Sequence, residues 1–229
     1  MIRSIFHSKW LPDSNENSLH FRAISKGVGT VRDHPRFAQA YIWGQDLIER
    51  MVGDIRKEQN QRASGATLIV GAGTGSDISQ LGPAVTQVVL LEPDHTMLSF
   101  LRNNYAHLRI IASPAEAMNV GDGEFDTVIT SLVLCSVDRV DDTLREIYRV
   151  LKPTGQYLFM EHVKHEAIVP SLLQSTVNPL WKRVGGGCHL NRDIRRSLSH
   201  SPLEVLEYSI VKPNFFIPII AGRAVKGSR

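Results

Sequence analysis

Two stretches of this chain concentrate groups that can do chemistry. The first is "GAGTG", Gly71 to Gly75, which directly follows the apolar run "TLIV". Glycine suits a backbone that must turn sharply or let a ligand come close. A helix is expected to start just after it, and its first N–H groups would lack partners. The second is "GGGCHLNRD", Gly185 to Asp193, which sets a thiol, an imidazole, an amide and two charges behind three glycines. Alone, it reads equally as a metal site, a catalytic cluster or a loop that opens a helix.

The glycine loop discriminates between ligands. A dinucleotide fingerprint requires G-x-G-x-x-G, and the sixth place here is Ser76. The observed G-x-G-x-G suits a nucleoside without a pyrophosphate; the bland reading is a tight turn. Glu92 ends the next apolar run in "VVLLEPD". A carboxylate at that distance from such a loop can accept both ribose hydroxyls.

These groups must be held by elements that the patterning also shows. Phe37, Tyr41, Ile48, Met51 and Ile55 recur at three-, four- and seven-residue spacings and predict a helix from Pro35. Apolar strands are expected at 67–70, 87–91, 108–112, 125–130 and 155–163. Val140, Leu144, Ile147 and Leu151 give one helical face that stops at "KPTG". Alternating strands and helices imply a doubly wound, mostly parallel sheet. "VLEYSIV" and "IIAGRAVK" are joined by too few residues for a crossover and should pair antiparallel. Residues 1–62 are expected to form an N-terminal helical cap or lid on a core at 63–229, the two making one unit, with 167–200 on the substrate side.

Composition narrows the function classes. The 229 residues are 42% hydrophobic and 21% charged, with a formal net charge of +3. That is an ordinary globule, too weakly basic to imply nucleic acid. No apolar run is long enough to span a bilayer and the N-terminus has no secretory pattern, although weak contact with an anionic membrane surface stays open. The two cysteines, Cys135 and Cys188, argue against a disulfide framework and for a cytoplasmic, reducing location.

"GAGTG", the acid of "LLEPD", "SPAEAM", "FDTVITSLVLCSV" and "REIYRVLKPTGQYLFMEHV" together resemble the successive motifs of class I S-adenosylmethionine-dependent methyltransferases with a type 11 methyltransferase domain. "NPLW", "GGCHLNRD" and "GRAVK" narrow the resemblance to the alkyl-thiol methyltransferases and related small bacterial enzymes. The resemblance implies an α/β, Rossmann-like, seven-stranded sheet, with one antiparallel strand near the C-terminus. It implies S-adenosylmethionine as cofactor and S-adenosylhomocysteine as product. Gly71, Ala72, Gly73, Thr74 and Gly75 should then wrap the methionine and ribose, Glu92 should take the ribose hydroxyls, and Met97 should pack on the adenine. Ala115 and Glu116 should border the adenine through backbone amides, and Ser131 and Leu132 should face the amino-acid end. Tyr41 either closes over the methionine moiety or is a core tyrosine. The sequence departs from the pattern at Ile69, where relatives usually carry an acid two residues before the first glycine, and at Pro114, near the adenine amine. Another carboxylate could stand in for the missing acid. The eukaryotic members carry an N-terminal membrane anchor, and none is expected here.

On the acceptor side, His162 and His189 are the candidate bases, His162 alternatively a partner of a neighbouring loop. Trp181, Cys188 and Arg192 are expected to line or contact the substrate, Trp181 alternatively being core. Asn191 is the expected cap of the helix "RDIRRSLSH". A metal set of His162, His165, Cys188 and His189 can be drawn, but without C-x-x-C or H-x-x-x-H spacing no metal is expected. "GGGCHLNRD" is therefore read as a substrate-side wall with one base. The expected reaction is direct methyl transfer to a small-molecule acceptor, a thiol first, with a phenol, amine or lipid headgroup as alternatives. A non-catalytic binding module is a further alternative. A nucleic-acid methyltransferase is disfavoured because "TSLVLC" is apolar where such enzymes carry a polar aromatic motif.

Overall fold

The computed structural model describes residues 33–212 and 214–227. The chain divides into two units, Met1–Thr30 and Val31–Arg229, and the second is described here. Most of the expected cap before Pro35 lies outside the described residues.

Seven strands, β1 (Gly65–Val70), β2 (Val85–Leu91), β3 (Arg109–Ile111), β4 (Phe125–Ser131), β5 (Leu151–His162), β6 (Leu203–Lys212) and β7 (Ile219–Lys226), form one sheet in the order β3-β2-β1-β4-β5-β7-β6. All neighbours are parallel except β7, which runs antiparallel to both β5 and β6. Central strands covered on both faces read as continuous apolar runs, and Leu68, Ile69 and Val70 of β1 are fully buried. Alternate residues face opposite sides. Leu68, Val70, Tyr157 and Phe159 meet α3 (Val140–Val150) and α5 (Ile194–His200) through Leu144, Ile147, Ile194 and Leu198. Ile69, Leu90, Ile129 and Leu158 meet Leu101 of α2 (His95–Asn104) on the other face. Each such buried aliphatic side chain contributes about 1.5–3 kcal/mol of transfer free energy. The strand order reverses between β1 and β4, so their carboxyl ends open the crevice where ligands of such sheets bind.

Several local expectations are corrected. No α-helix follows the glycine loop; a three-residue 3-10 turn, Ile78–Gln80, stands there. Gly82 and Pro83 stop propagation after one turn, and the Asp77 side chain, placed to cap, is engaged elsewhere. Helix α1 (Pro35–Asn60) exists, but Met51 is exposed and its buried residues are Ala38, Val52, Arg56, Gln59 and Asn60. Its C-terminal half therefore buries polar groups against the core. β5 begins at Leu151, so "KPTG" lies inside the strand, where pairing with β4 is irregular. α5 is capped by Asp193, whose carboxylate accepts the Arg196 N–H at 3.1 Å, while Asn191 reaches Ser175. Helix α4 (Ile168–Val184) forms as expected and turns Ile168, Val169, Leu172 and Leu180 outward. Among the described residues no helix is long and apolar enough to cross a membrane.

Candidate active site

The glycine loop leaves β1 and lies against the end of β2. Gly71, Gly73 and Gly75 have φ of 64°, 56° and 80°, a region that L side chains disfavour. At Gly75 a Cβ would stand 2.6 Å from the Tyr105 ring, whereas at Gly73 it would meet nothing nearer than 3.9 Å. The loop is thus packed tightly beneath Gly75 and open at Gly73. Glu92 emerges from β2 directly beside it. Its Oε2 accepts the Gly73 N–H at 2.8 Å and its Oε1 the Asp94 N–H at 2.9 Å. Burial pushes this carboxyl up to about 7, opposed by the two N–H groups and reinforced by the charge of Asp94. Asp94 in turn caps α2 and accepts the His34 N–H at 3.0 Å, which ties the start of α1 to this edge. Met97 and Ala115 are buried close by in sequence. The Glu116 side chain is turned away and accepts the backbone N–H groups of Asp138 and Arg139, so only its backbone is left for the expected adenine border.

At the far end of the loop the structure assembles a polar cluster that the sequence reading missed. Asp77 Oδ1 accepts Arg56 Nη1 at 2.9 Å, Asn60 Nδ2 at 2.7 Å and the Ser131 hydroxyl at 2.7 Å. No described residue donates to Oδ2. Tyr41 joins the cluster: burial raises its phenol, with Arg56 opposing and Asp77 and Glu49 adding to the shift. Ile69, where an acid was expected, is fully buried in the sheet. The carboxylate at this end is Asp77, and its signal was an acid two residues past the third glycine, with Arg56 and Asn60 four apart on one helix face.

On the acceptor side the turn after β4 governs the geometry. Leu132 sits at φ 61°, the one described non-glycine residue at positive φ. The turn is held by Glu161, whose fully buried carboxylate accepts the Val133 and Leu134 N–H groups, each at 3.1 Å. Arg192 is corrected here: its Nη1 donates to the Leu134 and Val137 carbonyls at 2.7 and 2.6 Å, so it braces this turn rather than waiting for substrate. Glu161→Gln leaves one carbonyl acceptor and sets an amide N–H against the second backbone N–H. We expect a stability loss of about 1–3 kcal/mol, measured as a lower denaturant midpoint at unchanged slope.

His162 ends β5 and is buried, and its Nε2–H donates to the His189 carbonyl at 3.0 Å. Burial lowers its pKa, but Cys188, Glu161 and the His189 carbonyl outweigh that and leave it raised. His189 is half-buried; its Nδ1–H donates to the Cys135 carbonyl at 3.2 Å, and no described residue takes its Nε2. Burial and the Arg192 charge lower its pKa. Trp181 Nε1–H donates to Cys188 Sγ at 3.3 Å, fixing the indole against the loop. Of the four metal ligands drawn from sequence, His165, whose Nδ1 accepts the Ala167 N–H at 3.0 Å, and His189 fall outside the cluster. The structure instead gathers Cys135 with His162 and Cys188. Above them Phe37 of α1 packs on Gly186, where a Cβ would come within 2.4 Å of the ring.

The site suits S-adenosylmethionine. The open cradle at Gly73 and the Glu92 carboxylate suit a ribose bearing two hydroxyls. Asn60 Oδ1 is buried without a hydrogen-bond partner, and an acceptor left in that state beside Asp77 suits an ammonium donor.

Comparison with known proteins agrees. Residues 68–159 match the methyltransferase domain family. The chain is 33% identical over 171 residues to the thiol S-methyltransferase TMT1B of Rattus norvegicus, covering 69% of this chain and 70% of that protein. It is 34% identical over 176 residues to the human thiol S-methyltransferase TMT1A, covering 69% and 70%. The YcgJ protein of Bacillus subtilis superimposes with a TM-score of 0.63 at 16% identity, over 79% of this chain and all of that one. The geranyl diphosphate C-methyltransferase of Streptomyces coelicolor, solved with S-adenosylhomocysteine, gives 0.60 at 12% identity, over 76% of each chain. With the loop, the Glu92 carboxylate beside it and the sheet order in place, the chain belongs to the class I S-adenosylmethionine-dependent methyltransferases.

Proposed function

We propose that this enzyme transfers the methyl group to the sulfur of a small thiol. The observation that carries the reading is the pairing of a cofactor loop with a histidine, His189, held by its Nδ1 and with Nε2 left open at the acceptor edge. The similarity to two thiol S-methyltransferases over 69% of the chain supports it. Bound S-adenosylmethionine supplies a methyl carbon on a sulfonium, which a nucleophile displaces in line to leave a neutral thioether.

The residues of the chain divide the remaining work. Gly73 and Glu92 hold the ribose, while Asp77, Asn60 and Ser131 hold the ammonium, Asp77 standing in for the acid absent at Ile69. Leu132 and Trp181 wall the acceptor end, and Glu161 and Arg192 fix the turn that carries Leu132. Positioning of this kind supplies up to roughly 7–11 kcal/mol of barrier reduction. A thiol with pKa about 8.5 is only slightly ionised at neutral pH, so His189 Nε2 takes its proton. A phenol or an ammonium would ask for a stronger base, and this favours sulfur. Two free cysteines within the site fit a reducing, cytoplasmic setting.

The test is to incubate the protein with methyl-labelled cofactor and, separately, a small thiol, a phenol, an amine and a phospholipid headgroup, following labelled product by mass spectrometry. Label on the thiol alone is expected; label on another acceptor and none on the thiol refutes the assignment. His189→Ala is expected to lower kcat about 100-fold at neutral pH. The deficit should shrink as pH rises past the thiol's own pKa, because the acceptor then ionises without help. A deficit constant from pH 7 to 10 would assign His189 to loop structure instead.

A further inference from the structure

The turn after β4, the end of β5 and the loop after α4 bring three soft or borderline ligands to one point, and methyl transfer alone uses none of them together. The Cys135 and Cys188 sulfurs and a His162 ring nitrogen all lie within 4.8 Å of one another. Cys188 Sγ is 3.9 Å from His162 Nδ1 and 3.8 Å from Nε2. Tetrahedral zinc, with bonds of about 2.3 Å to sulfur and about 2.0 Å to nitrogen, sets its ligand atoms about 3.6 Å apart. The Nδ1 distance is near that value, and because Sγ lies equally far from both ring nitrogens, beside the Cε1 edge or over the ring face, closing the site on Nδ1 takes a rotation of the Cys188 or His162 side chain.

We infer that Cys135, His162 and Cys188 bind Zn2+ as two thiolates and one imidazole, with the fourth position open to the thiolate of the methyl acceptor. The first half stands without the methylation reading; the second half rests on it.

Four observations converge. The His162 Nε2–H is committed to the His189 carbonyl at 3.0 Å, which fixes the tautomer and leaves the Nδ1 lone pair for a metal. A backbone carbonyl on the far nitrogen is the usual outer partner of a zinc-binding histidine. Trp181 Nε1–H points at Cys188 Sγ, and a donor aimed at sulfur stabilises a thiolate. Two thiolates and an imidazole select zinc over magnesium or calcium. Three protein ligands are the pattern of a catalytic zinc that keeps one position for an exogenous ligand. Cys135 and His162 are buried while Cys188 is half-buried, so the vacant side faces outward past Cys188. On binding, each cysteine gives its proton to solvent and its sulfur lone pair to the metal. An acceptor thiol entering the fourth position loses its proton in the same way, to His189 or water, and is held as a thiolate.

The experiment uses the reduced full-length chain, loaded with Zn2+, freed of excess metal and assayed for metal content. About one zinc per chain is expected, with Cys188→Ser and His162→Ala each retaining less than about a tenth. Because either variant could lose its fold, Co2+ is also titrated into wild type and Cys188→Ser, each checked for the same metal-free melting curve. Wild type should show an intense thiolate-to-cobalt absorption that Cys188→Ser lacks. Adding a small thiol without S-adenosylmethionine should strengthen that absorption. Zinc retention below about 0.1 per chain, equal retention by Cys188→Ser, or a Cys135–Cys188 disulfide with no metal uptake after reduction overturns the site. An unchanged cobalt spectrum on adding thiol overturns the open position alone. Zinc binding without methylation of any thiol would refute the acceptor assignment and leave the metal site standing.

Discussion

Glu92→Ala is expected to raise the dissociation constant for S-adenosylmethionine about 100-fold, the largest single effect on cofactor binding in this site. Two ribose hydroxyls donating to one carboxylate contribute at least about 1.5 kcal/mol each, and about 1.4 kcal/mol is a factor of ten. The variant also frees the Gly73 and Asp94 N–H groups that the carboxylate now holds at 2.8 and 2.9 Å, which loosens the loop and the entry to α2. Isothermal titration with the cofactor reads the change directly; a shift below about threefold would remove Glu92 from the ribose site. The same residue gives a pH signature. Its carboxyl titrates at about 7 in the folded chain because burial disfavours the charge. The folded state therefore binds a proton that the unfolded state has released above its ordinary value. Stability from this group is full below the unfolded pKa and lost as pH rises through about 7. Cofactor affinity runs the other way. The hydroxyls need the ionised form, so the dissociation constant should rise as pH falls below about 7, approaching tenfold per unit. Titrations in buffers of different ionisation enthalpy should show proton release on binding at pH 6 and little at pH 8.

Asp77→Ala is the second large expectation, and its effect reaches both stability and binding. Arg56 is 2% exposed, and among the described residues Asp77 is its one hydrogen-bonded anionic partner; Glu49 lies 3.2 Å from its Nε without hydrogen-bond geometry. Removing the carboxylate leaves the buried Arg56 with Glu49 as its remaining anion, so the expected cost is about 3 kcal/mol, the low end for a broken buried pair, or roughly 10 °C in Tm for a domain of this size. It also strips Asn60 and Ser131 of their shared acceptor, so cofactor affinity should fall beyond what the stability loss explains. Asp77→Asn separates the two effects. The amide oxygen still accepts from Ser131 and Asn60, so the fold should recover in part, while the charge that faces the ammonium is gone. Equal cofactor affinity in Asp77→Asn and wild type would show that Asp77 serves Arg56 alone.

How much of this was legible from the chain varies with the range of the interaction. The glycine loop, Glu92 and the strand sequence are local: backbone freedom at alternate glycines, an apolar run and a terminal acid all lie within about twenty-five positions. The exposed stripe of α1 illustrates the opposite case. Periodicity placed a helix at Pro35, but it could not say that Arg56, Gln59 and Asn60 would be the buried side, because their partners are Asp77 and the Gly222 carbonyl. Asn191 and Asp193 were both chemically able to cap α5, and only the path of the chain chose Asp193. Arg192 looked like a substrate contact because its type suits one; the Leu134 and Val137 carbonyls claimed it.

By itself the sequence determined the α/β class, the glycine loop with an acid at the end of the next strand, and the antiparallel return of β7, since each rests on patterns that neighbours along the chain enforce. Tertiary structure decided that Asp77 meets Ser131, that Glu161 and Arg192 hold the turn at Leu132, and that Cys135 joins His162 and Cys188. Those assignments join residues 26 to 58 positions apart. Hydrogen-bond and ligand geometry is specified in three dimensions to tenths of an ångström, and no one-dimensional spacing carries that information across separate strands.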